Sequence, residues 1–238
     1  MGNVAGADVA DTVSALRARM ERMQGRRLDV PVHPVPPALA DLLPGGGLRS
    51  GASYFVGRST SLLFALFARP SQDGAWCAAV GMPHLGVEAA RAAGVDLSRL
   101  VLVPDPGERW LAVASAIADV LPVVAVRPPA RARDGDIARL AARMRERETV
   151  LLVQGPWPQT EAMIDVGDPS WTGLGNGHGI LSGRELTVTV TSRRFPAPRT
   201  GRVLLPDADG ALTSAERGWD AAPRPVPFAA SVPMARAV

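Results

Sequence analysis

The chain has 238 residues, of which 47% are hydrophobic and 21% charged, as expected for one folded globular unit with short additions. The formal net charge is only +3 and all 26 basic residues are arginine, so the charge balance gives weak support for nucleic-acid binding. No apolar run approaches the roughly 18 residues of a membrane helix, and the single cysteine, Cys77, excludes an internal disulfide. Because the N-terminus lacks the features of a signal peptide, we expect a cytoplasmic protein that makes no membrane contact.

The first predicted element is an amphipathic helix from Asp11 to Gln24. Its apolar residues recur every three or four positions and would form one face: Val13, Leu16, Met20 and Met23. An isolated helix of this length is only marginally stable in water, so the face must pack against something. Two interpretations stay open, namely packing on its own core and docking on a partner or a second copy of the chain. The Pro-rich stretch from Leu28 to Pro37 then predicts an extended segment.

The stretch from Gly51 to Phe67 predicts a strand, a tight glycine turn and a helix. This is the local arrangement in which a phosphate-binding loop places its backbone N–H groups, a lysine and a magnesium-binding hydroxyl. Here the turn is short and Arg58 is its only cation. We therefore expect a degenerate phosphate loop that holds no cofactor and supports no catalysis, formed by Gly57, Arg58, Ser59, Thr60 and Ser61.

Four-residue to six-residue apolar runs alternate with predicted helices between Ala75 and Val153. This alternation predicts βαβ units, that is, an α/β fold with a mostly parallel sheet and helices on both faces. Strict alternation from Arg184 to Thr191, and a hairpin after Arg202 to Leu205, predict antiparallel edge strands near the C-terminus. The expected domains are a helical lead-in over residues 1–27, a core over residues 28–205 and a partly disordered extension over residues 206–238.

Several other stretches carry residues of chemical interest. The glycine-rich Gly173–Gly179 precedes a strand rather than a helix, which predicts a flexible loop before an edge strand instead of a dinucleotide site. The acids Asp165 and Asp168 are expected in turns. The three histidines and the cysteine are scattered without metal-ligand spacing, so no metal site is expected. Trp171 and Trp219 lie among polar residues, glycines and arginines, a composition typical of protein–protein hot spots.

The order of elements and three phrases resemble the RecA core over about residues 40–195. These phrases are LPGGGLRSGASYFVG (Leu43–Gly57), AARAAGVDLSRLVLVPDPGE (Ala89–Glu108) and GNGHGILSGRELTVTVTSRR (Gly175–Arg194). WTGLGNGHG and WCAAVGMPHLG are most similar to the RecA-like mutasome accessory proteins of actinobacteria, the ImuA-prime group. The resemblance implies a RecA-like fold and a role in damage-induced translesion DNA synthesis.

The same resemblance implies a partner, an ImuB-type inactive homologue of the Y-family polymerases, and through it an error-prone C-family polymerase. Direct DNA contact stays open, with Arg193 and Arg194 as its candidates because they follow the segment similar to the second DNA loop of RecA. The chain departs from RecA at the catalytic positions. The acid that activates water falls near Met82 or Pro83, and the acid that ends the central strand falls at Arg127. Because phosphoryl transfer depends on positioning and charge neutralisation, we expect no hydrolysis.

Two alternatives of other classes remain open from the sequence. One is a cell-division inhibitor of the SulA type, which is also RecA-related and lacks the phosphate loop. The other is a RecA paralogue that still binds ATP or single-stranded DNA, with Arg58 in place of the usual lysine.

Overall fold

The computed structural model describes residues 30–175, 178–207 and 209–215. The predicted helix from Asp11 to Gln24, with its face of Val13, Leu16, Met20 and Met23, lies outside these ranges, as does Trp219. No helix in the part that the structure describes meets the length and hydrophobicity of a membrane-spanning segment.

The described chain forms two sheets. In the small sheet, β1 (Val32–Pro34) pairs antiparallel with β2 (Gly47–Arg49). The strands of the large sheet are β3 (Ser53–Val56), β4 (Cys77–Val80), β5 (Leu100–Val103), β6 (Val123–Val126), β7 (Val150–Val153), β8 (Ala162–Gly175), β9 (His178–Thr191), β10 (Arg199–Leu204) and β11 (Thr213–Ser214). The helices are α1 (Pro37–Ala40), α2 (Thr60–Gln72), α3 (Val87–Ala92), α4 (Trp110–Ala118) and α5 (Asp134–Arg147). Short 3-10 turns cover Pro44–Gly46, Leu97–Arg99 and Gly107–Arg109.

The large sheet has the order β11-β10-β9-β8-β3-β7-β6-β4-β5. Strands β3 to β8 are mutually parallel where they pair, and β9, β10 and β11 add as antiparallel strands on one side. This confirms the predicted α/β fold with a mostly parallel sheet and antiparallel strands near the C-terminus. The sheet continues beyond the expected core boundary at residue 205, because Thr213 and Ser214 pair with β10.

The short central strands are apolar throughout because both faces of the sheet are covered by helices. In β6, Val123 and Ala125 face the core that packs against α2, while Val124 and Val126 face the core under α4 and α5. Their side chains are fully buried on both faces. Successive residues of this apolar strand therefore point alternately into the two cores, one on each face of the sheet.

Strand β8 corrects two expectations from the sequence. Asp165 and Asp168 lie within β8 rather than in turns, and the described parts of the Gly173–Gly179 stretch belong to strands. Residues 173–175 end β8 and residues 178–179 begin β9, with Gly175 paired with His178. The register shifts between Gly167 and Ser170, and Asp168 has φ 50 there. A β-bulge can hold residues that are otherwise typical of turns, so a Gly-Asp-Pro stretch interrupts the pattern without ending the strand.

The inward and outward faces of β8 give a direct test of its register. Ile164 is fully buried in the core, whereas its neighbour Met163 is 47% exposed. We expect Ile164→Ala to lower the free energy of unfolding by about 2–5 kcal/mol, because it removes buried methyl groups and leaves a cavity. Met163→Ala should change it by less than about 0.5 kcal/mol. Urea unfolding followed by circular dichroism measures both, and equal losses would contradict this register.

Candidate functional site

The carboxyl ends of the parallel strands meet at one edge of the sheet, where open α/β sheets bind their ligands. The residues that follow β3, β4, β5, β6 and β7 surround a cavity of about 1110 Å³ at this edge. Its lining residues include both arginines and acids, together with a group of prolines and aromatic residues. The glycine turn from Gly57 to Ser61 borders this cavity through Arg58. The turn therefore lies at the edge of the sheet where a RecA-type protein holds its nucleotide.

Two hydroxyl groups of the turn, those of Ser59 and Ser61, are engaged within the protein. Ser59 caps α2, because its Oγ accepts a hydrogen bond from the backbone N–H of Leu62 at 3.3 Å. Ser61 Oγ accepts a hydrogen bond from Nη2 of Arg184 at 2.5 Å, and it lies 3.2 Å from Ser59 Oγ. A magnesium-binding hydroxyl must be free to coordinate the metal, and these two contacts compete with that role.

A carboxylate lies directly against the glycine of the turn. The backbone N–H of Gly57 donates to the carbonyl of Ile164 at 2.8 Å, which brings the next residue, Asp165, beside the Gly57 Cα. A Cβ at Gly57 would clash with Oδ1 of Asp165, so only glycine fits this approach without a shift. The negative charge of Asp165 would repel a phosphate placed at the turn.

Gln154 is the centre of the hydrogen bonding at this edge. Its side chain is almost fully buried, and its Nε2 donates to the carbonyls of Gly57 at 3.1 Å and Ser59 at 3.3 Å. Its Oε1 accepts from Arg127, from Nε at 3.2 Å and from Nη2 at 2.5 Å. The side chain thereby joins the end of β7 to the glycine turn and to the residue that follows β6.

Arg127 has the opposite charge to the acid expected at its position in a RecA-type ATPase. It follows β6 directly, and burial together with the nearby charge of Arg58 lowers its pKa. Met82 and Pro83, the positions expected for a water-activating acid, follow β4 at the same edge and carry no ionisable group. Among the described residues, no three His, Cys, Asp or Glu side chains come together as metal ligands would.

The β8–β9 hairpin extends past the carboxyl edge of the sheet. Ile164 pairs with Val56, the last residue of β3, and β8 then continues as far as Gly175. Trp171 lies on this extension, opposite Arg184 of β9, with 51% of its surface exposed. The Arg184 guanidinium lies 5.2 Å from the centre of the indole ring, a cation–π contact. Since Arg184 also bonds Ser61 and donates to the carbonyl of Leu205 at 2.8 Å, the exposed indole is connected to the glycine turn.

Arg193 and Arg194 lie at the opposite edge of the sheet. Strand β9 ends at Thr191, which pairs with Met163 near the start of β8, so the two arginines follow at the amino edge of the parallel strands. Arg194 forms an ion pair with Glu161, which also accepts from Nη2 of Arg49 at 3.2 Å. The structure therefore separates this arginine pair from Trp171 and from the glycine turn, and the DNA contact assigned to it stays a prediction.

The sequence patterns did not indicate Gln154, Arg184 or the contact of Asp165 with the turn. For Gln154 a signal was present, because it follows VLLV just as Arg127 follows VVAV, and β6 and β7 pair in register from Val126 to Val153. Neighbouring parallel strands present the residues after their ends to the same site. No local signal identified Arg184, whose partner Ser61 is 123 positions away.

Comparisons with known proteins agree with this architecture. A family model described as the MT3502 N-terminal domain matches residues 41–159, half of the chain. The uncharacterized protein Rv3395c of Mycobacterium tuberculosis is 29% identical over 198 residues, which cover 82% of this chain and 87% of that protein. The crystal structure of the RadB recombinase superposes with a TM-score of 0.54 at 15% identity, over 75% of this chain and 97% of that one. The last comparison confirms the RecA-like fold and, at that identity, nothing beyond the fold.

The role of Gln154 can be tested by truncation. Gln154→Ala removes an almost fully buried amide and leaves the carbonyls of the turn and the Arg127 guanidinium without this partner. We expect a loss of about 1–3 kcal/mol in the free energy of unfolding. Gln72→Ala is the matched control, because Gln72 is exposed and makes one bond, to the carbonyl of Gly94, so it should lose less than about 1 kcal/mol. Equal losses in urea unfolding would show that Gln154 is not a central contact.

Proposed function

Because this chain belongs to the family of the MT3502 N-terminal domain and has a RecA-like fold, we propose that it is a non-catalytic RecA-like accessory protein. Its role is that of a scaffold in the complex for damage-induced translesion synthesis, as in the ImuA-prime group. There it binds an ImuB-type homologue of the Y-family polymerases and, through it, an error-prone C-family polymerase.

The observation that carries the non-catalytic part is the internal hydrogen bonding of the glycine turn. The N–H of Gly57 donates to the carbonyl of Ile164, Arg184 bonds Ser61, and the carboxylate of Asp165 lies against Gly57. An active phosphate loop needs free N–H groups, a lysine and a free hydroxyl, together with acids for metal and water. The chain has no lysine, and Arg127 lies where a metal-binding acid would be, which disfavours Mg²⁺.

The scaffold role is supported by the resemblance of two tryptophan-containing phrases to the ImuA-prime group, and by the exposure of Trp171. Tryptophan and arginine are enriched in hot spots, and an indole already held in place loses little conformational entropy on binding. Trp171 is held by Arg184, which is itself fixed by two hydrogen bonds. The extension of the hairpin past the sheet edge leaves this pair accessible.

The direct test is co-purification of the full chain with the ImuB-type homologue from the same genome. Size exclusion at about 0.3 M salt screens weak contacts between exposed charges. One peak containing both proteins supports the proposal. Two separate peaks would overturn the choice of partner, leave the fold unaffected, and favour a cell-division or DNA-binding role.

Two exposed tryptophans allow a matched test of the docking surface. Trp171→Ala should weaken binding of the ImuB-type homologue by about 30-fold or more, because truncating a hot-spot tryptophan costs at least about 2 kcal/mol. Trp76→Ala is the control. Trp76 is 41% exposed and has Arg99 at 5.7 Å from its ring, but it precedes β4 at the amino edge of the sheet. Calorimetric titration measures both, and similar effects would exclude the hairpin as the docking surface.

The N-terminal segment supplies a second test. Leu16→Glu or Met20→Glu places a charge on the predicted apolar face, so we expect binding of the partner to be lost while the melting temperature stays near that of the original chain. Ala18→Glu is the control, since the same charge falls on the opposite side of the predicted helix. If binding and melting temperature fall together, the segment belongs to the protein's own core and is not a dedicated docking helix.

A further inference from the structure

The cavity at the carboxyl edge contains two arginines without a neutralising acid. Both Arg58 and Arg127 line it, and no carboxylate among the described residues lies within ion-pairing distance of either guanidinium. Arg127 is half-buried and bonds the neutral amide of Gln154. Burial, and secondarily the charge of Arg58, lower the pKa of Arg127, in agreement with two cations that share one space. An anion between them would relieve this repulsion.

Two acids that follow β5, which lies two strands from β6 in the sheet, limit how much charge that anion can carry. Asp105 and Glu108 also line the cavity, so the four charged side chains sum to zero. A polyanion such as a triphosphate would meet the two acids as well as the two arginines and would gain little net attraction. A single negative charge placed at the arginine end avoids the acids. The charge distribution therefore favours a monoanion over a nucleotide.

The wall of the cavity favours a carboxylate with an apolar body. Six prolines line it, and none of them has a backbone N–H to donate: Pro83, Pro104, Pro106, Pro128, Pro129 and Pro156. A phosphate cradle depends on several convergent N–H groups, and these prolines contribute none. The rings of Phe55 and Trp110 add apolar surface. A planar guanidinium can bind a carboxylate through two parallel hydrogen bonds, without help from the backbone.

We propose that this cavity is a metal-independent binding site for a carboxylate on an apolar body, with Arg58 and Arg127 as its anion-binding residues. The carboxylate comes either from a free small molecule or from an acidic side chain flanked by apolar residues in a peptide segment. The proposal for this site is independent of the proposed ImuB-type partner, and it still holds if that partner does not bind.

The test uses three probes against the full chain labelled with ¹⁵N. Phenylacetate has a carboxylate on an aromatic body, phenylacetamide is its uncharged analogue, and pyrophosphate is a compact polyanion. Phenylacetate should shift the Nε–H signals of Arg58 and Arg127 saturably, with a Kd on the order of 1 mM, as expected for a ligand of this size. Phenylacetamide and pyrophosphate should each bind at least about tenfold more weakly, since the amide lacks the charge-assisted hydrogen bonds and pyrophosphate meets the acids.

Single substitutions assign the site. Arg127→Gln and Arg58→Gln should each weaken phenylacetate binding by about tenfold or more. Arg58 is exposed, so its variant keeps the test valid even if loss of the Arg127–Gln154 contact disturbs folding. Arg91→Gln is the control, because Arg91 is exposed in the last turn of α3 and does not line the cavity. It should leave phenylacetate binding unchanged.

A peptide arm distinguishes the two sources of the carboxylate. An N-acetylated and C-amidated peptide of sequence Pro-Phe-Glu-Pro presents the same group on a chain. Tighter binding of the peptide than of phenylacetate identifies a protein segment as the occupant, and tighter binding of phenylacetate identifies a small molecule. The proposal is overturned if neither probe gives saturable shifts, if phenylacetamide binds as well as phenylacetate, or if pyrophosphate binds more tightly than both.

Discussion

The side chain of Gln154 fixes the functional edge of this protein. It is almost completely buried, and both ends of its amide are used, the nitrogen by two carbonyls of the glycine turn and the oxygen by Arg127. A buried amide without hydrogen-bond partners lowers the free energy of unfolding. Gln154 therefore fixes the relative positions of the turn and the ends of β6 and β7. Its bonds to the turn use carbonyls, whereas a phosphate would need the N–H groups of the turn, so Gln154 does not itself occupy phosphate-binding groups. It holds the turn in the conformation in which the Gly57 N–H donates to the carbonyl of Ile164 and Ser61 is bonded by Arg184, and this conformation leaves fewer groups for a nucleotide.

A second chain of contacts connects this turn to the surface. Arg184 joins Ser61, the carbonyl of Leu205 and the ring of Trp171, so the exposed indole on the hairpin is held by the same turn. Under the proposed function, the turn does not bind nucleotide and instead holds the exposed surface around Trp171 in place for a partner. The cavity beside it holds two arginines that bind no acid of the described chain, which gives this edge an anion-binding character of its own.

Much of the core could be predicted from the sequence, because strands buried on both faces are short apolar runs separated by amphipathic helices. The sequence predicts strands at the apolar runs Leu100–Val103, Val123–Val126 and Val150–Val153, and these coincide with β5, β6 and β7. Strand β8 could not be found this way, since Gly167, Asp168 and Pro169 have the composition of a turn and only pairing with β9 holds them in a bulge. The contacts of Arg184 depend on the same long-range pairing, so no local pattern carries them. The proximity of Gln154 and Arg127 could have been predicted from the sequence, because the two residues directly follow neighbouring parallel strands.

In this RecA-like fold, side chains from other parts of the same protein contact the glycine turn where a nucleotide would bind. The most direct measurement is calorimetric titration of the full chain with ATP and magnesium, with a RecA-type ATPase as the positive control. We expect no saturable heat up to about 1 mM ATP, which corresponds to an affinity too weak to place the nucleotide in the turn. Micromolar binding that requires magnesium would contradict this expectation, because Arg184 would then have to release Ser61 and Asp165 would have to move away from Gly57.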